Sequence, residues 1–322
     1  MKKVRRLTPK ECERLQGFPD GWTDLGEWMD SKGKTHKDAD SPRYKALGNS
    51  IAVGYANRRS GFWCWLMKRI SAQYERDATL GSLFDGIGGF PLAWESYNGS
   101  GSARWASEIE EFPIAVTKRH FPQMKHLGDI TKLNGAEIEV VDCITGGSPC
   151  QDLSVAGKRA GLAGERSGLF MDQMRIVKEM REHDRSLGRA DERLRPRFMV
   201  WENVPGAFSS GDPKGADFAA VLEEIVRVVE PKAPSIDVPE GGGWPTAGLI
   251  EDELGRFSVA WRVHDAQYWG VAQRRKRIAL VADFGGRSAG EILFERKGVS
   301  RHPESRRETR EGVAEDPEGC SG

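Results

Sequence analysis

Cys150 stands where a thiol can do chemistry. It lies in Gly146-Gly147-Ser148-Pro149-Cys150-Gln151, after the apolar run Val140-Val141-Asp142-Cys143-Ile144. That run reads as a buried strand of a parallel sheet, and Gly-Gly-Ser-Pro as the loop leaving it. Ligands in open α/β sheets bind outside the carboxyl ends of the strands, and Pro149 restricts the loop that carries the thiol. A small Cys in a turn is the plain alternative; the company Cys150 keeps decides against it. In Phe198-Met199-Val200-Trp201-Glu202-Asn203-Val204-Pro205, Glu202 ends a second apolar strand. A carboxyl beside a thiol in a partly dry pocket has a raised pKa and can donate a proton to a substrate nitrogen at neutral pH; Asn203 is placed to hold it. In Gln273-Arg274-Arg275-Lys276-Arg277, strand alternation points Arg275 and Arg277 to one face and Arg274 and Lys276 to the other. One pair can therefore face the pocket while the other meets solvent or phosphate.

Two more strand ends carry binding groups. Leu80-Gly81-Ser82-Leu83-Phe84-Asp85-Gly86-Ile87-Gly88-Gly89-Phe90 runs from a strand through a Gly-rich turn into a helix. Such a turn lets backbone approach a ligand and suits an anionic group at the helix N-terminus; alone it fits dinucleotides and adenosyl cofactors alike. About twenty residues on, where a strand-end acid meets ribose hydroxyls in nucleotide-type folds, stands Glu108, with Ile109 next to it to pack on an adenine face. Asp129, in His126-Leu127-Gly128-Asp129-Ile130, can accept from an adenine amino group.

Taken together and in this order, Phe84-x-Gly86-x-Gly88-Gly89, Pro149-Cys150-Gln151, Glu202-Asn203-Val204 and Gln273-x-Arg275-x-Arg277 resemble the motifs of the DNA (cytosine-5) methyltransferases. Two N-terminal segments resemble that family's last motifs: Arg6-Leu7-Thr8-Pro9-Lys10-Glu11-Cys12-Glu13-Arg14-Leu15-Gln16-Gly17-Phe18-Pro19 and Tyr44-Lys45-Ala46-Leu47-Gly48-Asn49-Ser50. Because these come first, the chain is expected to be circularly permuted, which is reasonable where termini lie close together on a surface. The resemblance implies a Rossmann-like, S-adenosylmethionine-dependent methyltransferase fold, an α/β architecture with a mostly parallel sheet flanked by helices. It implies S-adenosyl-L-methionine as methyl donor and cytosine in double-stranded DNA as acceptor. Cys150 would attack C6 of a flipped cytosine, Glu202 would hydrogen-bond N3, Arg277 would hold O2, and Arg275 would lie near the DNA backbone or the active-site loop. Cofactor contacts are implied at Phe84, Asp85, Gly86, Gly88, Gly89, Glu108, Ile109, Asp129, Ile130, Pro149, Asn49 and Ser50, and DNA contacts at Gln151, Ser154, Gln273 and Arg274. The family's target-recognition domain should follow residue 284, yet residues 285–322 are too polar and too few to bury a core. The stretch Ile292-Leu293-Phe294-Glu295 resembles the opening of such a region. A separate recognition subunit is one expectation, and a catalytically inactive or incomplete methyltransferase that binds cofactor or DNA is the alternative reading. An unrelated dinucleotide oxidoreductase gives Pro149-Cys150-Gln151 no task.

Strands are expected over residues 80–84, 102–107, 140–144, 198–202, 258–263 and 277–282, and helices over 9–16, 51–70, 113–120, 169–185 and 218–229; their alternation suggests a mostly parallel sheet. Residues 152–166 read as a lid after the nucleophile, 238–248 as a surface loop, and 22–41 as polar and mobile. The expected parts are permuted C-terminal motifs at 1–76, a catalytic domain at 77–284 and a polar tail at 285–322. The 322 residues carry 48 Lys and Arg against 48 Asp and Glu. A neutral balance neither supports nor excludes DNA, because phosphate contact needs only a patch such as Lys2-Lys3-Val4-Arg5-Arg6, Arg58-Arg59 or 274–277. Five Cys without a Cys-x-x-Cys pair argue for a reducing, cytoplasmic setting. Neither metal-ligand spacing, a signal peptide nor a membrane span is expected.

Overall fold

Runs of alternating apolar residues and amphipathic segments build an α/β layer structure, here a computed structural model that describes residues 5–54, 61–148 and 168–294. Pro149, Cys150, Gln151 and Ser154, the expected lid at 152–166, Lys2-Lys3-Val4, Arg58-Arg59 and residues 295–322 lie outside the described residues. In chain order the elements are α1 (Pro9–Gln16), β1 (Trp28–Met29), β2 (Thr35–His36), α2 (Asp40–Asn49), α3 (Phe62–Ser71), β3 (Leu80–Leu83), α4 (Gly89–Asn98), β4 (Ala103–Ser107), α5 (Glu111–His120) and β5 (Lys125–His126). There follow β6 (Cys143–Gly146), α6 (Leu169–Ser186), β7 (Phe198–Asn203), α7 (Ala216–Val226), β8 (Ala247–Glu251), β9 (Ser258–Asp265), β10 (Lys276–Asp283) and α8 (Ala289–Leu293).

Eight strands form one sheet in the order β5-β4-β3-β6-β7-β10-β9-β8. The first five run parallel, while β10, β9 and β8 pair antiparallel beyond β7. Alternation along each central strand sends side chains into two cores. Phe198 and Val200 of β7 join Trp63, Leu66, Trp94 and Leu293 on one face. Met199 and Trp201 join Phe170, Met174, Phe218 and Leu222 on the other. Helices thus cover both faces, as a buried parallel sheet requires.

Local rules explain where elements begin and end. Thr8 and Glu11 form a reciprocal capping box that opens α1, and Gly17, at φ 75°, closes it in the left-handed region. The helix expected over 51–70 begins only at Phe62. Residues 51–54 are not helical, because a Cβ on Gly17 would overlap the backbone of Gly54, and one on Gly54 that of Gly61. Three chain segments therefore touch through glycine, a packing reason that periodicity does not reveal. The 22–41 stretch is not the mobile polar segment expected: β1 and β2 form a hairpin, and Trp22 is buried, stacked on His120 at 3.7 Å, with its Nε1 donating to Ile87 O at 2.8 Å. The end of the loop expected at 238–248 enters edge strand β8. Ile292 and Leu293, read from sequence as the opening of a recognition region, are buried in α8 against α3 and β9.

Buried polar contacts tie α1 to the segment after it and to α2. The carboxylate of Glu13, 0% exposed, accepts from Gly21 N at 2.6 Å, Thr23 N at 2.8 Å and Thr23 Oγ1 at 2.5 Å, and faces Arg43 at 3.6 Å. After α3, Arg76 pairs with the buried Asp142 at 2.5 Å, and Asp142 also accepts from Thr79 N at 2.8 Å. Glu13→Ala leaves the Thr23 amide and hydroxyl, the half-buried Gly21 amide and Arg43 without this acceptor, so we expect a loss of about 3–5 kcal/mol. A shift in the urea midpoint at unchanged slope measures it; a loss below about 1 kcal/mol, the scale of an exposed pair, would contradict this account.

Candidate active site

The carboxyl ends of β3, β4 and β7, the start of β10 and the end of α2 surround a cavity of about 530 Å³, within the range of small-molecule clefts. Antiparallel pairing sets one corner. Ala279 of β10 lies opposite Glu202 of β7, so Arg277 reaches across and its Nε donates to Glu202 Oε1 at 2.7 Å. Burial pushes the Glu202 carboxyl up, against the opposing pull of Arg277 and Arg275. Gly147 permits the close approach of the loop after β6: a Cβ there would lie 3.0 Å from Glu202 Oε2. Asn203 does not hold Glu202 as expected from sequence. Its side chain faces the same loop, donating from Nδ2 to Ser148 O at 3.1 Å, while Trp201 Nε1 donates to Ser148 Oγ at 3.2 Å. Both contacts fix the chain two residues before Cys150. Ser148 and Gly147 were not singled out from sequence; the signal was their place between a strand end and the thiol.

Phe84 and Gly86 line the opposite wall. Phe84 has φ 54°, and among the described residues it is the one non-glycine in the left-handed region, so the turn holds strain at the ligand wall. Glu108 accepts from Gly86 N at 2.8 Å, from Ile109 N at 2.8 Å and from Glu110 N at 2.9 Å. A carboxylate has about four acceptor sites, so capacity remains toward the cavity. Asp129 accepts from Thr131 N at 3.0 Å and Thr131 Oγ1 at 2.8 Å, which hold its carboxyl below the ordinary range. Asp129, Ile130 and Asn49 line the cavity, as does Ile109, which is 69% exposed. The cavity thus combines the acceptors Glu108 and Asp129 with apolar walls at Phe84, Ile109 and Pro113, and Arg275 also lines it.

The sequence of residues 1–59 and 78–226 matches the family model described as C-5 cytosine-specific DNA methylase. The chain belongs to this family. A DNA N-6-adenine-methyltransferase of Escherichia phage P1 is 36% identical over 73% of this chain and 32% of its own length. Type II methyltransferase M.BsuFI of Bacillus subtilis is 30% identical over 62% of this chain and 37% of its own. The chain thus spans about a third of the length of these relatives. A crystal structure of DNMT2 from Spodoptera frugiperda aligns with TM-score 0.43 at 19% identity, covering 65% of this chain and 50% of that one.

Several residues expected at the cofactor do not line this cavity. Gly88 and Gly89 serve packing: a Cβ on Gly88 would meet Phe121 at 2.6 Å, and one on Gly89 would meet Ile51 at 2.6 Å. Ser50 caps α2 and is buried. Arg274 is exposed, as alternation foretells, and Gln273 is half-buried; neither lines the cavity. Arg275 faces inward and bonds the end of α2, donating from Nη2 to Gly48 O at 2.9 Å and Ser50 O at 2.7 Å. Among the described residues no helix is long and apolar enough to cross a membrane, and no group of three or more His, Cys, Asp or Glu could hold a metal ion.

Asp85 lies between Phe84 and Gly86 yet points away from the cavity. It is 6% exposed, accepts from Ser82 Oγ at 2.6 Å, and leaves Oδ2 without a partner. Burial raises its pKa from 3.8 to about 8; the Ser82 bond opposes this and Glu108 adds to it. A folded-state pKa above the unfolded value means the folded protein holds the proton more tightly, so stability falls as pH rises from about 4 to about 8. Asp85→Asn is expected to melt slightly above the wild type at pH 5 and well above it at pH 8.5. Equal melting temperatures at both pH values would contradict a buried neutral carboxyl.

Proposed function

We propose that this chain transfers a methyl group from S-adenosylmethionine to C5 of cytosine in DNA through a covalent Cys150 adduct on a flipped base. The observation that carries the reading is the Glu202–Arg277 corner, which shares one cavity with the Phe84–Glu108 wall and adjoins Ser148, two residues before Cys150. Phe84, Gly86, Glu108, Ile109, Asp129 and Asn49 would hold the cofactor. When bound, it supplies an electrophilic methyl on a sulfonium sulfur.

The chain's own residues supply the rest. A stacked base cannot reach the corner, so the target cytosine must leave the duplex. The Cys150 thiolate adds to C6, and the electrons displaced from the ring's double bond collect at C5 and N3. Protonated Glu202 donates to N3 and stabilises the charge that gathers there, while Arg277 holds O2. C5 is then electron-rich and able to take a methyl. Loss of the C5 proton to a base and departure of the Cys150 sulfur restore the ring as 5-methylcytosine.

We further read the chain as circularly permuted, with the end of α2 completing the cavity from the N-terminal side. The Arg76–Asp142 pair and the bond from Tyr74 to Asp142 O support a covalent join of α3 to the first sheet strand. Base reading would come from a segment or subunit beyond the described residues, and the setting would be a bacterial or phage-infected cytoplasm. The name of the phage P1 relative raises N6 of adenine as a second target; methylation of an exocyclic amine gives a thiol nucleophile no task, which favours cytosine.

Labelled S-adenosylmethionine, unmethylated mixed-sequence DNA and nucleoside analysis test this. Label is expected in 5-methylcytosine and not in N6-methyladenine. Cys150→Ser should abolish transfer while keeping cofactor binding; full activity in that variant would overturn the mechanism. Because Glu202 acts protonated from a raised pKa, transfer should fall as pH rises through that pKa. Glu202→Gln should slow it about 10²–10³-fold and remove the alkaline limb of the profile.

A further inference from the structure

We propose that Arg275 is a positioning residue for the cofactor: from just before the strand that carries Arg277, it holds the end of α2 that forms one wall of the cofactor cavity. The inference rests on the reading that this cavity takes S-adenosylmethionine. α2 ends at Asn49 without a basic residue in its last turn. Its carbonyls are the negative end of a helix and need donors. Ala46 O and Leu47 O accept from Ser50 N at 3.1 and 3.3 Å, and Leu47 O also takes Gln16 Nε2 at 2.8 Å. Gly48 O and Ser50 O are served by Arg275 Nη2 at 2.9 and 2.7 Å. These two carbonyls bracket Asn49, so one guanidinium sets the position of a cavity-lining side chain more than two hundred residues away in sequence.

The anchor itself is held. Arg275 N donates to Asp265 Oδ1 at 2.9 Å, and Arg275 O accepts from Ala266 N at 3.1 Å. Two residues on, Arg277 pairs with Glu202 at 2.7 Å. Arg275 has no carboxylate at ion-pair distance among the described residues, unlike Arg277, and its Nε is buried without a partner. Both bonds come from one nitrogen, Nη2, whose two hydrogens are fixed in the guanidinium plane; a lysine ammonium, a point donor on a flexible stem, presents no such fixed pair. Base corner and cofactor wall are in this way joined through a single side chain.

Calorimetric binding of S-adenosylhomocysteine by the full chain, without DNA, tests the inference independently of catalysis. Arg275→Ala is expected to weaken binding about tenfold and Arg275→Lys by a smaller factor. Asn49→Ala should also weaken it, and in the double variant Asn49→Ala with Arg275→Ala the losses should not multiply, because Arg275 acts through the segment that carries Asn49. Measurement well below each variant's melting temperature separates positioning from general destabilisation, and the Lys variant serves if the Ala variant does not fold. Wild-type affinity in Arg275→Ala or Arg275→Lys, or losses that multiply in the double variant, would overturn it. A wild-type chain that binds no S-adenosylhomocysteine would remove the cofactor reading and this inference together, whereas wild-type binding with unaffected variants removes this inference alone.

Discussion

The antiparallel pairing of β10 with β7 is the constraint on which the site depends. In a wholly parallel sheet, the residues at the start of β10 would lie at the opposite edge from the end of β7. Reversal of one strand brings Arg277 to Glu202 and Arg275 to the end of α2 at the edge where β3 and β4 deliver Phe84 and Glu108. Acid, cations and ligand wall therefore converge without any long loop having to fold over to supply them.

Burial then sets the chemistry of what converges. Two carboxyls near this edge are pushed toward their neutral forms, Glu202 and Asp85, for the same reason of lost hydration. They differ in what they face. Glu202 meets the Arg277 guanidinium and the cavity, where a proton can be passed on; Asp85 meets Ser82 beneath the turn, where the proton is simply held. Glu108 and Asp129 keep backbone and hydroxyl donors around them instead, so the cavity has neutral and charged carboxyls at different corners. The strained backbone of Phe84 lies on the same wall.

Much of this was legible in the sequence because it follows from local rules. Thr8 and Glu11 give α1 its start and Gly17 its end, and alternation gives the facing of Arg275 against Arg274. A strand followed by polar residues locates Glu202, Glu108 and Phe84 at one edge. Illegible were the features decided by partners distant in the chain. Gly88 and Gly89 look like a ligand turn but are small to admit Phe121 and Ile51. Residues 51–54 look helical but pass between glycines. Asn203 serves Ser148 and not its sequence neighbour Glu202. Trp22 lies in a polar stretch and is buried only because His120 and the turn at Ile87 receive it. No periodicity encodes such contacts.

The central claim, nucleophilic attack by Cys150 on a base activated at the Glu202–Arg277 corner, is tested most directly by trapping the adduct. DNA carrying 5-fluorocytosine admits addition at C6 and methylation at C5 but cannot lose fluorine as the proton is lost. With S-adenosylmethionine present, the account predicts a denaturation-resistant protein–DNA complex whose mass maps to the peptide containing Cys150. Formation of 5-methylcytosine on ordinary DNA with no trapped Cys150 peptide on the fluorinated DNA would contradict it.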